Sequence, residues 1–204
     1  MDIEITFKNQ SSDVNNSQVV IFQKNVAIPD ADPVAWHVIQ HCDPGESHSL
    51  TVPADLTVRA SDGYGNLSTP LAARPGHAFA VSEAEGGDTL RPAGLGGSAH
   101  AVEVSNALLA KAIDAHVYRG GRLLATHAAI PPEGKAAFQF KPAIWIGATS
   151  QAEEGMVMPR ALTADMTTHF SLDGIASADI VMNGGGAGPE AQPFVFTLEN
   201  VVRA

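Results

Sequence analysis

The densest group of chemically active side chains lies in residues 35–48, "AWHVIQHCDPGESH", which hold His37, His41, His48 and the single cysteine, Cys42. His37 and His41 are four residues apart, a spacing that places both side chains on one face of a helix or of a strand. Imidazole and thiolate are usual zinc ligands, so His37, His41 and His48 are candidate metal ligands. No carboxylate stands between them as in the HExxH motif. The pattern therefore favours ordinary histidines in a connection, with zinc as the alternative.

Oxygen ligands for calcium are offered by Asp62 and Asn66 in "SDGYGN", residues 61–66. Asp-Gly and Gly-Asn pairs are also ordinary turn chemistry, and the spacing does not match an EF-hand loop. We therefore expect no cofactor, with zinc or calcium as the alternatives. The nucleophile motif GxSxG is absent, so no catalytic residue is predicted. A serine–histidine triad is recognised by geometry, which a sequence does not display.

Trp145 interrupts a polar face and is the first candidate for ligand binding. In "DLTVRAS", residues 55–61, the polar residues Thr57 and Arg59 alternate with apolar residues. In the similar stretch "AIWIGAT", residues 143–149, Trp145 stands at the position that corresponds to Thr57. A large aromatic side chain on an outer face needs to be covered. We expect contact with the other half of the chain or with a second chain, and the alternative is a stacking platform for a sugar. Trp36 and Tyr64 are the other aromatic candidates.

The composition excludes several classes of function. The 204 residues carry a formal net charge of −10, with 12 basic residues that form no cluster. Binding to nucleic acid depends on clustered Lys and Arg, so it is not expected, and an anionic membrane surface is disfavoured for the same reason. No apolar run is long enough to span a bilayer, and the start resembles no secretory signal. A cytoplasmic protein is the default expectation, with leaderless export as the alternative.

Apolar and polar residues alternate over short stretches, which is the periodicity of β-strands. "DIEITF" places Ile3, Ile5 and Phe7 on one face, and "SQVVIFQKN" is a nearly continuous apolar run typical of a central strand. The 19 glycines and 13 prolines fall between such runs. The pattern predicts an all-β protein of antiparallel sandwich-like units. Residues 32–42 and 154–166 alone suit a turn or two of helix.

The second half of the chain repeats the apolar pattern of the first half with few identities. The order of the matching stretches is preserved, which predicts an internal duplication, with one sandwich-like unit in residues 1–97 and another in residues 98–204. "AWHVIQHC" is expected to lie outside the repeated frame. The aligned stretches are residues 44–62 with 132–150 at a displacement of 88, residues 77–94 with 168–185 at 91, Ile5, Phe7 and Asn9 with Val102, Val104 and Asn106 at 97, and residues 19–25 with 115–121.

The runs "VVIFQKN", "IASADIVM" and "FTLENV" resemble those of a group of uncharacterised bacterial β-rich proteins, and the resemblance implies no activity. Function is therefore inferred by elimination. The sequence favours a non-enzymatic binding or self-assembling module with a protein or a glycan as ligand, and a homo-oligomer is compatible with it. The alternative class is a metal-dependent or triad hydrolase that uses the loop histidines His37, His41 and His48.

Overall fold

The fold is known from a computed structural model that describes residues 2–15 and 17–204. Within these ranges the chain forms sixteen β-strands, an α-helix of four residues and a 3-10 helix of three, which confirms the all-β prediction. None of the helices in these ranges has the length and apolar character needed to cross a membrane. The strands are β1 Ile3–Asn9, β2 Gln18–Phe22, β3 His37–Ile39, β4 Ser47–Val52, β5 Leu56–Ser61, β6 Leu71–Ala73, β7 His77–Ser82, β8 Thr89–Leu95, β9 Val102–Asn106, β10 Ile113–Arg119, β11 Arg122–Ile130, β12 Lys135–Phe138, β13 Ala143–Thr149, β14 His169–Ser171, β15 Ile175–Gly185 and β16 Gln192–Arg203, with α1 at Arg160–Thr163 and the 3-10 helix at Gly188–Glu190.

The chain divides into two compact units. The first unit consists of Met1–Gln23, Ala35–Ala54 and Pro142–Ala204, and the second consists of Lys24–Val34 and Asp55–Lys141. Strands β1–β4 and β13–β16 belong to the first unit, and strands β5–β12 belong to the second. Each unit therefore takes four strands from residues 1–97 and four from residues 98–204. The compact units do not coincide with the two predicted repeats.

The first unit contains two four-stranded sheets, with strand orders β16-β15-β1-β4 and β14-β13-β2-β3. The two central strands of the first sheet, β1 and β15, are parallel, and β4 and β16 pair antiparallel on either side. In the other sheet β2 pairs antiparallel with both β13 and β3. Ile5 and Phe7 on β1 are fully buried, as their alternation with polar residues predicts.

The second unit repeats this scheme with its own eight strands. Its sheets have the orders β12-β9-β7-β8 and β11-β10-β5-β6, and the central strands β7 and β9 of the first of these are parallel. Strand β9 thus has the neighbours that β1 has in the first unit, and β10 has those of β2. Strands β1–β4 of the first unit therefore correspond to β9–β12 of the second unit, and β13–β16 correspond to β5–β8. Corresponding strands come from opposite halves of the sequence and occur in the same order in each half.

The strand registers agree with most of the displaced alignments. Thr6 lies opposite Ser49, and Glu103 lies opposite Ala137, which are the same pairs displaced by 97 and 88. The alignment at a displacement of 91 differs, because it sets β7 against β14. In the strand pairing, β7 occupies the position that β15 occupies in the first unit, because Phe79 lies opposite Val104 on β9 as Ile180 lies opposite Phe7 on β1.

A buried asparagine occupies the same place in each unit. Asn9, which is 2% exposed, donates from Nδ2 to the Cys42 carbonyl at 2.7 Å and accepts from the Ser11 amide at 2.9 Å. Asn106, which is 1% exposed, donates to the Ile130 carbonyl at 2.9 Å and accepts from the Leu108 amide at 3.0 Å. These partners also correspond at displacements of 88 and 97. Each asparagine satisfies main-chain groups that would otherwise be buried without partners.

The turn before β4 has the same main-chain bonds as the turn before β12. Gly45 donates its amide to the Asn9 carbonyl at 2.6 Å, and Glu133 donates its amide to the Asn106 carbonyl at 2.9 Å. Both residues have positive φ, 92° for Gly45 and 63° for Glu133. Glycine adopts this conformation without steric cost, whereas Glu133 holds it against the preference of its side chain.

The stretch without a counterpart is not "AWHVIQHC" but the connection before it. His37–Ile39 forms β3 and pairs with β2, as β11 pairs with β10. The helical expectation for residues 32–42 is therefore wrong, because pairing with β2 outweighs a weak local helical pattern. Lys24–Val34 belongs to the second unit, where Asn25 donates from Nδ2 to the Ala137 carbonyl at 2.9 Å. The expectation for residues 154–166 is confirmed by the single turn of α1.

Candidate functional site

A cleft of about 670 Å³ lies in the second unit, at the end of strand β5. Its floor is apolar, since the lining residues Val81, Leu90, Leu108 and Ile113 are all buried. Its volume and its apolar lining with a few convergent polar groups are typical of small-molecule sites. The polar side chains that line it are Ser61, Asp62, Tyr64, Asn66, Ser68, Asp88 and Lys111.

The loop that carries Tyr64 is fixed by Asp62. The Asp62 carboxylate accepts hydrogen bonds from the Tyr64 amide, the Asn66 amide and Asn66 Nδ2, each at 2.9 Å. The hydrogen bond from the Asn66 side chain is the main reason why the pKa of Asp62 lies below its ordinary value, and the backbone amides lower it further. Tyr64 itself is 94% exposed. The loop thus holds a nearly bare aromatic ring at the mouth of the cleft.

An ion pair adds charge at the same mouth. Lys111 Nζ lies 3.1 Å from Asp88 Oδ2, and this hydrogen bond raises the pKa of Lys111 above its ordinary value. Both side chains line the cleft together with Asp62. Two carboxylates and one ammonium group therefore surround the opening, which disfavours an anionic ligand.

Ser61 connects the cleft to a half-buried imidazole. Ser61 Oγ lies 2.9 Å from His116 Nε2, and His116 Nδ1 lies 3.0 Å from Thr126 Oγ1. Burial lowers the pKa of His116 below its ordinary value, Arg59 lowers it further, and Asp114 acts in the opposite direction. His116 is therefore neutral at neutral pH. A neutral imidazole donates from one ring nitrogen and accepts at the other, so both contacts are satisfied by a single tautomer.

In the first unit, the sheet face that corresponds to the one carrying His116 has apolar side chains. Strand β10 pairs His116 with Arg59 and Thr126, and strand β2 pairs Val20 with Gly147 and Val38 in the same registers. Val20 and Val38 belong to a buried cluster that includes residues of the connection between β13 and β14, namely Ala152, Met158 and Met166. The segment between β13 and β14 therefore covers this face of the first unit.

Trp145 lies on this covered face. Its ring stacks with Phe22 at a centroid distance of 6.3 Å and with His169 at 5.5 Å. Phe22 comes from the first half of the sequence, so Trp145 makes a contact with the other half of the kind expected. The ring is half-buried against the cluster. Its use as a ligand platform stays a prediction.

Gly147 allows the connecting segment to approach β13 closely. A Cβ atom at this position would lie 2.5 Å from Met166 Cγ, and Met166 is itself 7% exposed. We expect Gly147→Val to lower the free energy of unfolding by about 1–3 kcal/mol through overpacking, although valine favours strands. Urea unfolding followed by tryptophan fluorescence measures the change. Gly86→Val is the matched control, because a Cβ atom there meets nothing within 4 Å. A Gly147→Val protein as stable as the wild type contradicts the packing of Met166.

The other predicted site residues do not converge on one place. His37 Nδ1 lies 3.2 Å from Glu154 Oε2, while His41 and His48 are exposed. Trp36 is 1% exposed and packs in the core, at a ring distance of 6.1 Å from His37. Burial is the main cause that raises the pKa of the Cys42 thiol. Within residues 2–15 and 17–204, no three His, Cys, Asp or Glu side chains are grouped so that they could hold a metal ion.

Sequence reasoning identified Tyr64 but missed Ser61, His116 and Thr126. These residues come from three strands, and the serine and histidine are 55 residues apart. One signal was present in the displaced alignment of residues 19–25 with 115–121, which sets the polar His116 against the apolar Val20. None of the protein-family models, curated proteins or solved structures compared with the chain matches it.

Proposed function

We propose that the protein is a glycan-binding protein and that the cleft of the second unit holds the sugar. The observation that carries the proposal is the Tyr64 ring, 94% exposed and fixed by the Asp62 loop at the mouth of an apolar-floored cleft. An exposed aromatic ring that a loop holds beside an apolar-floored cleft offers a flat face to a ligand, and nothing else of the second unit covers this face.

The chemistry of the lining suits a neutral sugar. The face of a pyranose ring is made of C–H groups that stack on an aromatic ring, while its hydroxyls need donors and acceptors at the edge. Asp62, Asn66 and Asp88 supply acceptors, and Asn66 and Lys111 supply donors. The volume of about 670 Å³ accommodates one or two sugar rings.

We further propose that the scaffold arose by internal duplication and that each unit is a β-sandwich. The matching strand orders, the matching registers and the corresponding bonds of Asn9 and Asn106 support the duplication. The alternation of buried and exposed residues on β1, β5, β9 and β10 supports sheets that each bury one face.

The test is binding to a glycan array, followed by calorimetric titration with the best neutral ligand. We expect Tyr64→Ala to weaken the affinity by at least about tenfold, which corresponds to about 1.4 kcal/mol. Leu95→Ala is the matched control, because Leu95 is 87% exposed in the same unit and does not line the cleft. Equal affinity of the Tyr64→Ala and wild-type proteins, or an array on which the wild type binds nothing, contradicts the proposal.

A further inference from the structure

We propose that Ser61 is a nucleophile with His116 as its general base, and that the cleft of the second unit hydrolyses small neutral esters. The proposal goes beyond glycan binding and does not depend on it. It is carried by the placement of three side chains: Ser61 lines the cleft, and His116 and Thr126 continue from it through contacts of 2.9 and 3.0 Å.

These distances are those of an activated serine. A serine hydroxyl is a weak nucleophile unless a base within about 2.6–3.2 Å takes its proton, and the base in turn needs a third group to orient it. Ser61, His116 and Thr126 meet both conditions. Such sets are recognised by geometry and not by sequence order, and they occur on unrelated folds.

The fold does not require these three residues. In the corresponding registers of the first unit stand Thr149, Val20 and Val38, and that unit buries the two valines. An imidazole between two hydroxyls is thus particular to the unit that has the cleft. Burial keeps His116 in the neutral form that accepts a proton.

The reaction conserves atoms and charge. In the tautomer with hydrogen on Nδ1, His116 donates to Thr126 Oγ1, and Nε2 accepts the Ser61 hydroxyl proton. The Ser61 oxygen forms a bond with the acyl carbon, the ester C–O bond breaks, and the imidazolium gives its proton to the leaving alkoxide. Water then attacks the acyl-serine, His116 takes one of its protons and returns it to Ser61, and the carboxylic acid leaves. Thr126 touches no reacting atom and is a positioning residue.

The lining defines the class of ester. Leu90, Leu108 and Ile113 line the same cleft as Ser61, and an apolar lining suits a short acyl chain. Asp62 and Asp88 at the mouth repel an acyl group that carries a carboxylate. Acetyl and butyryl esters of neutral alcohols fit both features.

The first experiment uses a fluorophosphonate probe on the full chain, followed by intact mass and peptide mapping. We expect one equivalent of label on Ser61 and none on Ser61→Ala. Ser82→Ala, which removes a serine of the same unit that does not line the cleft, keeps full labelling. Since a general base typically contributes 10²–10⁴-fold, His116→Asn slows labelling and p-nitrophenyl butyrate hydrolysis at least about 100-fold.

The second experiment separates positioning from folding. We expect Thr126→Val to lower kcat for p-nitrophenyl butyrate with an unchanged KM, and Thr126→Ser to restore it. Near-UV circular dichroism checks that each variant is folded, and His116→Gln replaces His116→Asn if the latter does not fold. The proposal is overturned if folded wild-type protein leaves Ser61 unlabelled, or if labelling is as fast without the imidazole. Neither outcome affects glycan binding, which is tested through Tyr64.

Discussion

Replacing Asn106 with leucine is expected to lower the free energy of unfolding by about 3 kcal/mol, because a buried donor or acceptor left unpaired costs about 1–3 kcal/mol. Leucine keeps the approximate volume of the side chain but removes its hydrogen bonds. The carbonyls of Lys111 and Ile130 and the amide of Leu108 then lose the partner they now have at 2.7–3.0 Å. Chemical denaturation measured by far-UV circular dichroism gives the change.

The control for this substitution is Asn183→Leu, the same change at an exposed position of a strand. Exposed substitutions usually change stability by less than about 0.5 kcal/mol. Asn9→Leu tests whether the corresponding asparagine of the first unit has an equal role, since its bonds to Cys42 and Ser11 match. An Asn106→Leu protein no less stable than the Asn183→Leu protein means that the buried bonds contribute nothing.

Separating the chain between residues 97 and 98 is expected to leave neither half able to fold as a monomer. Residues 1–97 keep the pairs β1–β4, β2–β3, β5–β6 and β7–β8 but lose the central partners of all of them. The lost partners are β15, β13, β10 and β9, which lie in residues 98–204. Two-stranded ribbons are marginal in water, so each half alone is unfolded or self-associated. Mixing the halves restores a 1:1 complex.

Circular dichroism and light scattering of the two halves, alone and mixed, decide the outcome. The matched control is the fragment 55–141, which contains all eight strands of the second unit. We expect this fragment to unfold cooperatively, although it is shorter than 98–204. It lacks Lys24–Val34 and hence the bonds of Asn25 to residues 137–139. A folded monomer of residues 1–97 would show that the sequence repeat is itself the folding unit.

The sequence was sufficient to predict the strands but not their partners. Alternation of apolar residues identified β1 and β5, a nearly continuous apolar run identified β2, and the displaced alignments matched β4 with β12 and β5 with β13. An alternating pattern specifies which face of a strand is buried and leaves its neighbour open. Because corresponding strands have similar patterns, β1 beside β7 would bury the same side chains as β1 beside β15. The interleaved units follow from contacts that no local pattern encodes.

The candidate site was predictable only where a single loop forms it. The turn signals in "SDGYGN" place Tyr64 on an exposed loop, and the structure adds that Asp62 fixes this loop. The pair formed by Ser61 and His116 depends on the register between β5 and β10, which places Arg59 opposite His116. The three histidines that are neighbours in the sequence do not form a site. His37 lies on β3, His41 follows β3, and His48 lies on β4, with His41 and His48 exposed.

The interleaving of the two units also determines the order in which they are completed during synthesis. The second unit has all its strands once β12 has emerged. In the first unit, β1 gains its neighbour β15, on which Ser177 pairs with Glu4, only later in synthesis. Loop closure over such a separation is slow, and unpaired strand edges are prone to aggregation. During this interval β9 and β1 have matching apolar patterns, so both fit beside β7. In the nascent chain, β1 and β9 can therefore both pair with β7. Pairing with β9 is favoured because β9 is the closer of the two to β7 along the chain.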